Sequence, residues 1–438
     1  MRVLFTTYGF PTVAHSFVEN YVLALTALGV DVGVVASADG DHPVEIPAEP
    51  GAGSLTIIQA SRTGPRVKKV LALSRATTEA AALHRRELRA LVAAARHRHG
   101  IGVAFLKRLY AIAPILSWDA DMVHLGWLHA ATEWMDVLPE LDVPIVVSCR
   151  GSDLLIDPVV DACYRQRVSV VFDRVDAVHC VSEDLATRAI SFGVEPSKVF
   201  VGPWGVDSQF FSPAPVPPVA VDGRPFRIVS VGRLHWVKGH EYALMAVHEL
   251  RGAGIEVEYT IVGDAGANAR ASVLTAIRDL ELDDCVVMRD ELNRVEVLEA
   301  LRRSDVFLHP SLSEGLSNAT LEAMAVGLPV VVTDVSGMRE LVTDGDNGFV
   351  TPSRDPAALA TALRDLATDS ELRAKMGERG RQRAVEHFDR ELCTQALLEH
   401  YRRIVRQHAA PNHRRSARSR PLDSPDVKSY FDREVPRG

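Results

Sequence analysis

The sequence is poor in cysteine. Its five, Cys149, Cys163, Cys180, Cys285 and Cys393, contain no Cys-x-x-Cys pair, so neither a zinc site nor a disulfide framework can be read from them. They read as small buried apolar residues of a reducing compartment. No apolar run approaches the roughly 18 residues that would span a bilayer. Residues 1–5 carry one charge and a very short apolar stretch. That reads as a first strand and not as a secretory leader, so a cytoplasmic protein is expected. A surplus of positive charge is missing too. The 49 Lys and Arg stand against 57 Asp and Glu, a net charge of −8, which argues against a dedicated nucleic-acid binder. No Gly-x-Gly-x-x-Gly follows the first strand or Val231, so an NAD-linked dehydrogenase lacks its fingerprint.

What is present is ordinary globular composition, 47% hydrophobic and 24% charged over 438 residues, a length for two or three domains. A β run at 3–7, a loop with Gly9 and Pro11, an amphipathic helix over 16–28 and a strand over 30–36 make a βαβ unit. The pattern recurs with strands at 122–124, 144–148 and 177–181 and a helix at 183–192. Pro213, Pro215, Pro217, Pro218 and Pro225 then mark a linker. A second alternation follows, with strands at 228–231, 257–262, 286–288, 306–308 and 329–333 separated by helical segments. The fold class expected is α/β, two Rossmann-like doubly wound domains. Their bounds are 1–212 and 227–388, joined by 213–226, with a long amphipathic helix at 389–408 and a weakly ordered basic tail at 409–438.

Ligands of open α/β sheets bind beyond the carboxyl ends of the strands, and three such ends in the second domain carry suggestive residues. After Val231 come Gly232, Arg233 and Leu234, then Lys238 and Gly239. These two cations could clamp a diphosphate, although alone they read as solvated surface charges. Gly263 and Asp264 close the strand at 257–262; the glycine permits close approach to a ligand, but strand–Gly–Asp is also a common turn. After the strand at 306–308 a loop holds Glu314, Gly315 and Leu316, and a helix opens near Ser317 or Asn318, with Glu322 in its early part. Ser317 and Asn318 are both good N-caps; a helix start after glycine is an anion site when uncapped, and two carboxylates in a cleft accept from sugar or ribose hydroxyls.

Taken together, Gly232-Arg233-Leu234, Lys238-Gly239, Gly263-Asp264, Glu314-Gly315-Leu316, Leu321-Glu322-Ala323-Met324-Ala325, Gly327-Leu328-Pro329, Glu340-Leu341-Val342 and Asn347-Gly348 resemble the retaining family 4 glycosyltransferases (GT4 type, glycosyl transferase group 1) of the GT-B fold. The resemblance spans 1–408 and is most specific over 228–350. It implies two Rossmann-like domains facing across a cleft, the second binding a nucleotide-diphosphate sugar, the first an acceptor. Arg233 and Lys238 would neutralise the diphosphate leaving group. Glu314 would accept from the donor sugar and Glu322 from the ribose. Gly232, Gly263, Asp264 and the backbone of Gly315, Leu316, Ser317 and Asn318 would line the donor. The donor expected is a UDP- or GDP-linked hexose, with no cofactor and no metal. The acceptor would be a carbohydrate, a glycolipid or a small molecule, in polysaccharide, glycolipid or glycosylated-metabolite synthesis. The same fold also serves sugar-nucleotide epimerases and sugar phosphorylases, and a non-catalytic donor-binding scaffold is a further reading.

The first half departs from the family. His124 ends the strand Asp121-Met122-Val123-His124 as in the family, but Gly126 stands where many members carry a second histidine. His124, or His129 in the next helix, would assist catalysis in its place, or be a structural histidine. Arg150 begins a loop that often begins with His, Trp204 replaces an Asn, and Gly9 is the only glycine in the first loop, left to lie beside the donor phosphates where many members have a pair.

The mean acidity hides an asymmetry. Residues 62–108 carry twelve Lys and Arg against Glu79 and Glu87, on segments expected to be helical at 67–73, 77–95 and 103–109. The last helix and tail add Arg402, Arg403, Arg406, Arg414, Arg415, Arg418 and Arg420. Such a basic amphipathic face docks on anionic lipid, holds an anionic acceptor, or is simply solvated. The first of these implies a cytoplasmic protein in peripheral contact with a membrane.

Overall fold

Short apolar strands alternating with helices become two parallel sheets in the computed structural model, which describes residues 1–11, 16–39, 51–59, 66–100, 102–133, 141–215, 223–264 and 266–410. The first sheet holds β1 (Arg2–Phe10), β2 (Asp31–Asp39), β3 (Leu55–Gln59), β4 (Met122–Leu125), β5 (Ile145–Cys149), β6 (Ala177–Cys180) and β7 (Val199–Val201), in the order β3-β2-β1-β4-β5-β6-β7. The second holds β8 (Phe226–Val231), β9 (Val257–Val262), β10 (Val286–Arg289), β11 (Val306–His309), β12 (Val330–Thr333) and β13 (Gly348–Thr351), in the order β10-β9-β8-β11-β12-β13. Both orders reverse at the first strand, between β1 and β4 and between β8 and β11. At such a switch point the flanking connections leave on opposite faces and open a crevice at the carboxyl ends.

The chain divides into two units. One comprises Met1–Val181, Ala186–Gly202 and the chain from Thr394 on; the other comprises Ser182–Leu185 and Pro203–Cys393. The division at Gly202 falls before the expected linker at 213–226. The cause is packing: Val206 and Phe211 are buried in the second unit's core, and Asp207 pairs there with Arg294 and Arg390. Residues 216–222 of the linker and 411–438 of the tail lie outside the described residues. The helix Arg390–Ala409 starts in the second unit and belongs to the first from Thr394.

The second unit shows why its strands read as continuous apolar runs. Ile228, Leu308 and Val331 pack on one face with the helices His240–Gly252 and Pro356–Thr368. Their neighbours Val229, Phe307, Val330 and Val332 pack on the other with Arg294–Arg302 and Asn318–Val326. The central strands β11 and β12 are buried on both faces, as a doubly wound sheet requires.

Several sequence expectations shift. β1 runs on through Gly9, which pairs with Ala38 in the strand instead of lying in a loop. The helices expected at 67–73 and 77–95 are Arg66–Leu83 and Arg85–His99, followed by Val103–Leu116. Ser74, Arg75 and Ala76 do not stop a helix; the break comes at His84, whose backbone is non-helical (φ −134°, ψ 53°). The short strands β3, β7 and β13 were not anticipated.

Candidate functional site

In the second unit, three loops leave the carboxyl ends of β8, β9 and β11 and are tied together by their backbones. Gly232 N donates to Val262 O at 2.9 Å, Leu234 N to Asp264 O at 2.8 Å and Leu312 N to Val237 O at 2.6 Å. Gly263 is what lets the first two loops touch. A Cβ there would lie 2.0 Å from Gly232 O, and its φ of +154° is one that other residues rarely adopt. A one-turn 3₁₀ helix, Trp236–Lys238, then turns the chain into the helix His240–Gly252.

This backbone places Lys238 against Glu314. The Lys238 ammonium donates to Glu314 Oε1, and the two side chains are only 23% and 14% exposed. The same oxygen lies 2.9 Å from His309 Nε2. Burial alone would raise the Glu314 carboxyl, but the Lys238 charge and the His309 bond outweigh it and hold it well below the usual carboxylate range. Arg233 is exposed on the same loop as Lys238, and Asp264 is exposed at the end of β9. Gly315 is buried and Leu316 packs on the second-unit core.

Ser317 caps the helix Asn318–Val326, its Oγ accepting from Thr320 N. Of the two N-cap candidates Ser317 is the one used, so the helix start is capped and not an open anion site; its amides share their field with the Ser317 hydroxyl. Glu322 is half-buried on this helix. Burial pushes its carboxyl up to about 7, against the pull of Arg294.

Two neighbouring histidines were not singled out from sequence. His309 ends β11 and is buried. His240 starts the helix after Lys238, is buried, and has neither ring nitrogen hydrogen-bonded among the described residues. Burial, with the nearby His309 and Lys238, pushes His240 down to about 4. A lone histidine after a strand carries no spacing signal, so only the fold could bring them forward.

In the first unit, His124 lies on β4 with no exposed surface. His179 Nε2 lies 2.6 Å from Gly202 O; a carbonyl only accepts, so the proton is on Nε2 and Nδ1 accepts. Ser148 Oγ, 2.8 Å from that Nδ1, must then donate to it and accept from His124 Nε2 at 2.7 Å. His124 Nδ1 in turn accepts from Tyr401 Oη, and Tyr401 accepts from Tyr21 Oη at 2.5 Å. The result is a one-way chain, Tyr21 to Tyr401 to His124 to Ser148 to His179 to Gly202, whose order follows from the donor and acceptor capacities. Burial depresses both imidazoles, His179 to about 4, so both are neutral at physiological pH. Tyr401→Phe removes the hydroxyl that links Tyr21 to His124 inside the core. It is expected to lower stability by about 2 kcal/mol, read as a shifted denaturant midpoint with unchanged slope.

Two of the departures from the family pattern, Gly126 and Arg150, adjoin. A Cβ on Gly126 would lie 2.6 Å from Thr6 O and 2.8 Å from Phe5 Cε1, so no larger side chain fits. Arg150 Nε donates to the Gly126 carbonyl at 3.1 Å, and its guanidinium lies over the Trp127 ring at 4.0 Å. Next to it, ligand-type atoms of His129, Asp153 and Asp157 lie within 4.8 Å of one another, a grouping the sequence reading did not find. Asp153 accepts from the backbone N–H of Arg150 and of Leu128 at 3.2 and 3.4 Å. Burial raises its carboxyl to about 6, with His129 and Arg150 pulling the other way.

Two family models match. Glycosyltransferase Family 4 matches residues 14–210, and Glycosyl transferases group 1 matches residues 217–383. Over 405 residues the chain is 28% identical to a putative colanic acid biosynthesis glycosyltransferase, WcaL, of Salmonella typhimurium, covering 91% of this chain and 98% of that one. It is 30% identical over 325 residues to a D-inositol 3-phosphate glycosyltransferase of Kineococcus radiotolerans, covering 66% and 73%. Among solved structures, Anabaena Alr3699/HepE in complex with UDP-glucose superposes with a TM-score of 0.68 at 18% identity, over 92% of this chain and all of that one.

Proposed function

This chain belongs to the group 1, family 4 glycosyltransferases, and we propose that it moves a hexose from a nucleotide-diphosphate sugar to an acceptor hydroxyl with retention at the anomeric carbon. The observation that carries the proposal is the Lys238–Glu314–His309 cluster at the switch point of β8 and β11. A cation and a carboxylate fixed side by side suit a ligand that is anionic at one end and hydroxylated at the other.

In this reading Lys238 and Arg233 face the diphosphate, Glu314 accepts from hydroxyls of the sugar, and Glu322 accepts from the ribose. The bond from the anomeric carbon to the diphosphate oxygen breaks as the bond to the acceptor oxygen forms. The acceptor's proton passes to the departing diphosphate. Negative charge grows on the leaving group, and fixed cations aimed there act where electrostatic preorganisation helps most. Those cations take the role a metal would fill, so turnover is expected to survive chelation by EDTA. The full-length similarity to an enzyme named for colanic acid biosynthesis supports a polysaccharide-type acceptor, placed in the first unit.

The test is incubation with UDP-, GDP- and dTDP-hexoses, with and without an oligosaccharide acceptor. Release of the nucleoside diphosphate that requires the acceptor, with the donor's anomeric configuration kept in the product by NMR, is the expected result. Conversion without acceptor marks an epimerase, dependence on free phosphate marks a phosphorylase, and binding without turnover marks a scaffold. Each of these contradicts the proposal.

The basic helices favour peripheral contact with an anionic bilayer. Leu83, Val103 and Leu106 are 51%, 71% and 53% exposed, close in sequence to the exposed Arg85, Arg86 and Arg89. No helix among the described residues is long and apolar enough to cross a membrane. The chain is expected to sediment with phosphatidylglycerol vesicles at low salt and not with phosphatidylcholine. Val103→Glu with Leu106→Glu should abolish sedimentation, and its absence in the parent chain removes the membrane role.

A further inference from the structure

We propose that His309 is a positioning residue for donor-sugar recognition, holding Glu314 by one oxygen so that the other faces the sugar. The proposal rests on the donor-site reading above and adds to it a residue that never touches the donor.

The bonding is asymmetric. Both Lys238 Nζ and His309 Nε2 meet Glu314 at Oε1, and no described residue bonds Oε2. A carboxylate only accepts, so the His309 proton is on Nε2 and the ring donates. Ser311 Oγ lies 3.0 Å from the same nitrogen, as a second, weaker acceptor of that proton. The ring is kept in place by its burial and by stacking on Phe307, with centroids 5.9 Å apart and planes 15° from parallel. Burial also depresses the imidazole, so the donor is a neutral ring and not a second cation.

The consequence appears on donor binding. Lys238 cannot serve Glu314 and the diphosphate equally well. As the ammonium is drawn to the phosphates, its bond to Oε1 weakens. His309 is then the remaining protein donor on the carboxylate, and it alone keeps Oε2 aimed at the sugar hydroxyls. A nucleoside diphosphate without sugar makes no use of Glu314, so its binding does not depend on His309.

This separates the two ligands experimentally. UDP, GDP and dTDP and their esters UDP-glucose, GDP-mannose and dTDP-glucose are titrated calorimetrically into the parent chain, His309→Phe and His309→Gln. Phenylalanine keeps the bulk and removes the donor; glutamine restores an N–H. For the pair the parent binds, His309→Phe is expected to weaken the sugar ester about tenfold, the scale of one hydrogen bond to a charged group. The diphosphate is expected to change less than about twofold, and His309→Gln should recover most of the loss. In turnover the Phe variant should raise the donor KM more than it lowers kcat. Equal weakening of ester and diphosphate, or no change in either, overturns the proposal while leaving the donor site standing. A parent chain that binds none of the six ligands overturns the donor-site reading and the role of His309 with it.

Discussion

Lys238→Ala is expected to lower kcat by about 10³, the upper range for removing one preorganised donor from developing charge. Two effects combine. The ammonium no longer meets the growing charge of the diphosphate, and Glu314 loses its cationic partner and keeps only His309. The Glu314 carboxyl is held well below its ordinary value by Lys238 and His309. Its folded value lies below its unfolded one. Its ionised form therefore stabilises the fold above the ordinary glutamate range, and that stability is lost as pH falls from that range through the depressed folded value. Removing one partner of a pair this buried costs about 3 kcal/mol, because the carboxylate left behind is poorly solvated. The double variant Lys238→Ala/Glu314→Gln separates the two effects. It should recover much of the stability and none of the turnover, a coupling readable in a double-mutant cycle. Full activity of Lys238→Ala, with Arg233→Ala equally silent, would contradict the assignment of both cations.

Gly263→Ala is expected to be almost as damaging, although alanine adds one methyl and removes no charged or hydrogen-bonding group. The methyl would have to occupy a point 2.0 Å from the Gly232 carbonyl oxygen, on a backbone with φ of +154°. It can fit only if the loops after β8 and β9 part, breaking the bonds Gly232 N to Val262 O and Leu234 N to Asp264 O. Strain of this kind costs about 1–3 kcal/mol before any clash is counted. The loop that carries Arg233 and Lys238 moves with it. The expected result is a fall in melting temperature and a loss of donor affinity of at least about a hundredfold. A variant that melts and binds like the parent would show that the two loops are not fixed by this contact.

The second unit was legible because its signals are local. The apolar strand cores of β8, β9 and β11 are followed by glycine and polar residues at their carboxyl ends, and a sheet buried on both faces leaves little freedom in where those ends go. Gly232, Lys238, Gly263, Glu314 and Glu322 could therefore be named as a group from sequence. Their pairing could not. That Lys238 and Glu314 share one oxygen with His309 depends on contacts across the sheet. That a cap stands at the helix start is legible in Ser317 and Asn318, but which of the two serves as the cap is a matter of backbone and rotamer. The first unit was less legible for the same reason. His124 reads as a strand-end histidine, open to catalytic or structural use, until Tyr401 is seen to arrive from the far end of the chain. That bond, with Ser148 on its other nitrogen, gives His124 the environment of a core residue. Gly9, beside Pro11, reads as a turn, yet pairing with Ala38 carries the strand through it; the helix break at His84 has neither proline nor glycine to mark it.

The most direct test of the central claim, that the second unit holds a nucleotide-diphosphate sugar between Lys238 and Glu314, is calorimetric titration of the parent chain and of Lys238→Ala with UDP, GDP and dTDP and their hexose esters. The account predicts one site in the parent, tighter for one ester than for its diphosphate, and at least about tenfold weaker in Lys238→Ala. Binding of none of these ligands to the parent, or undiminished binding to Lys238→Ala, would contradict it.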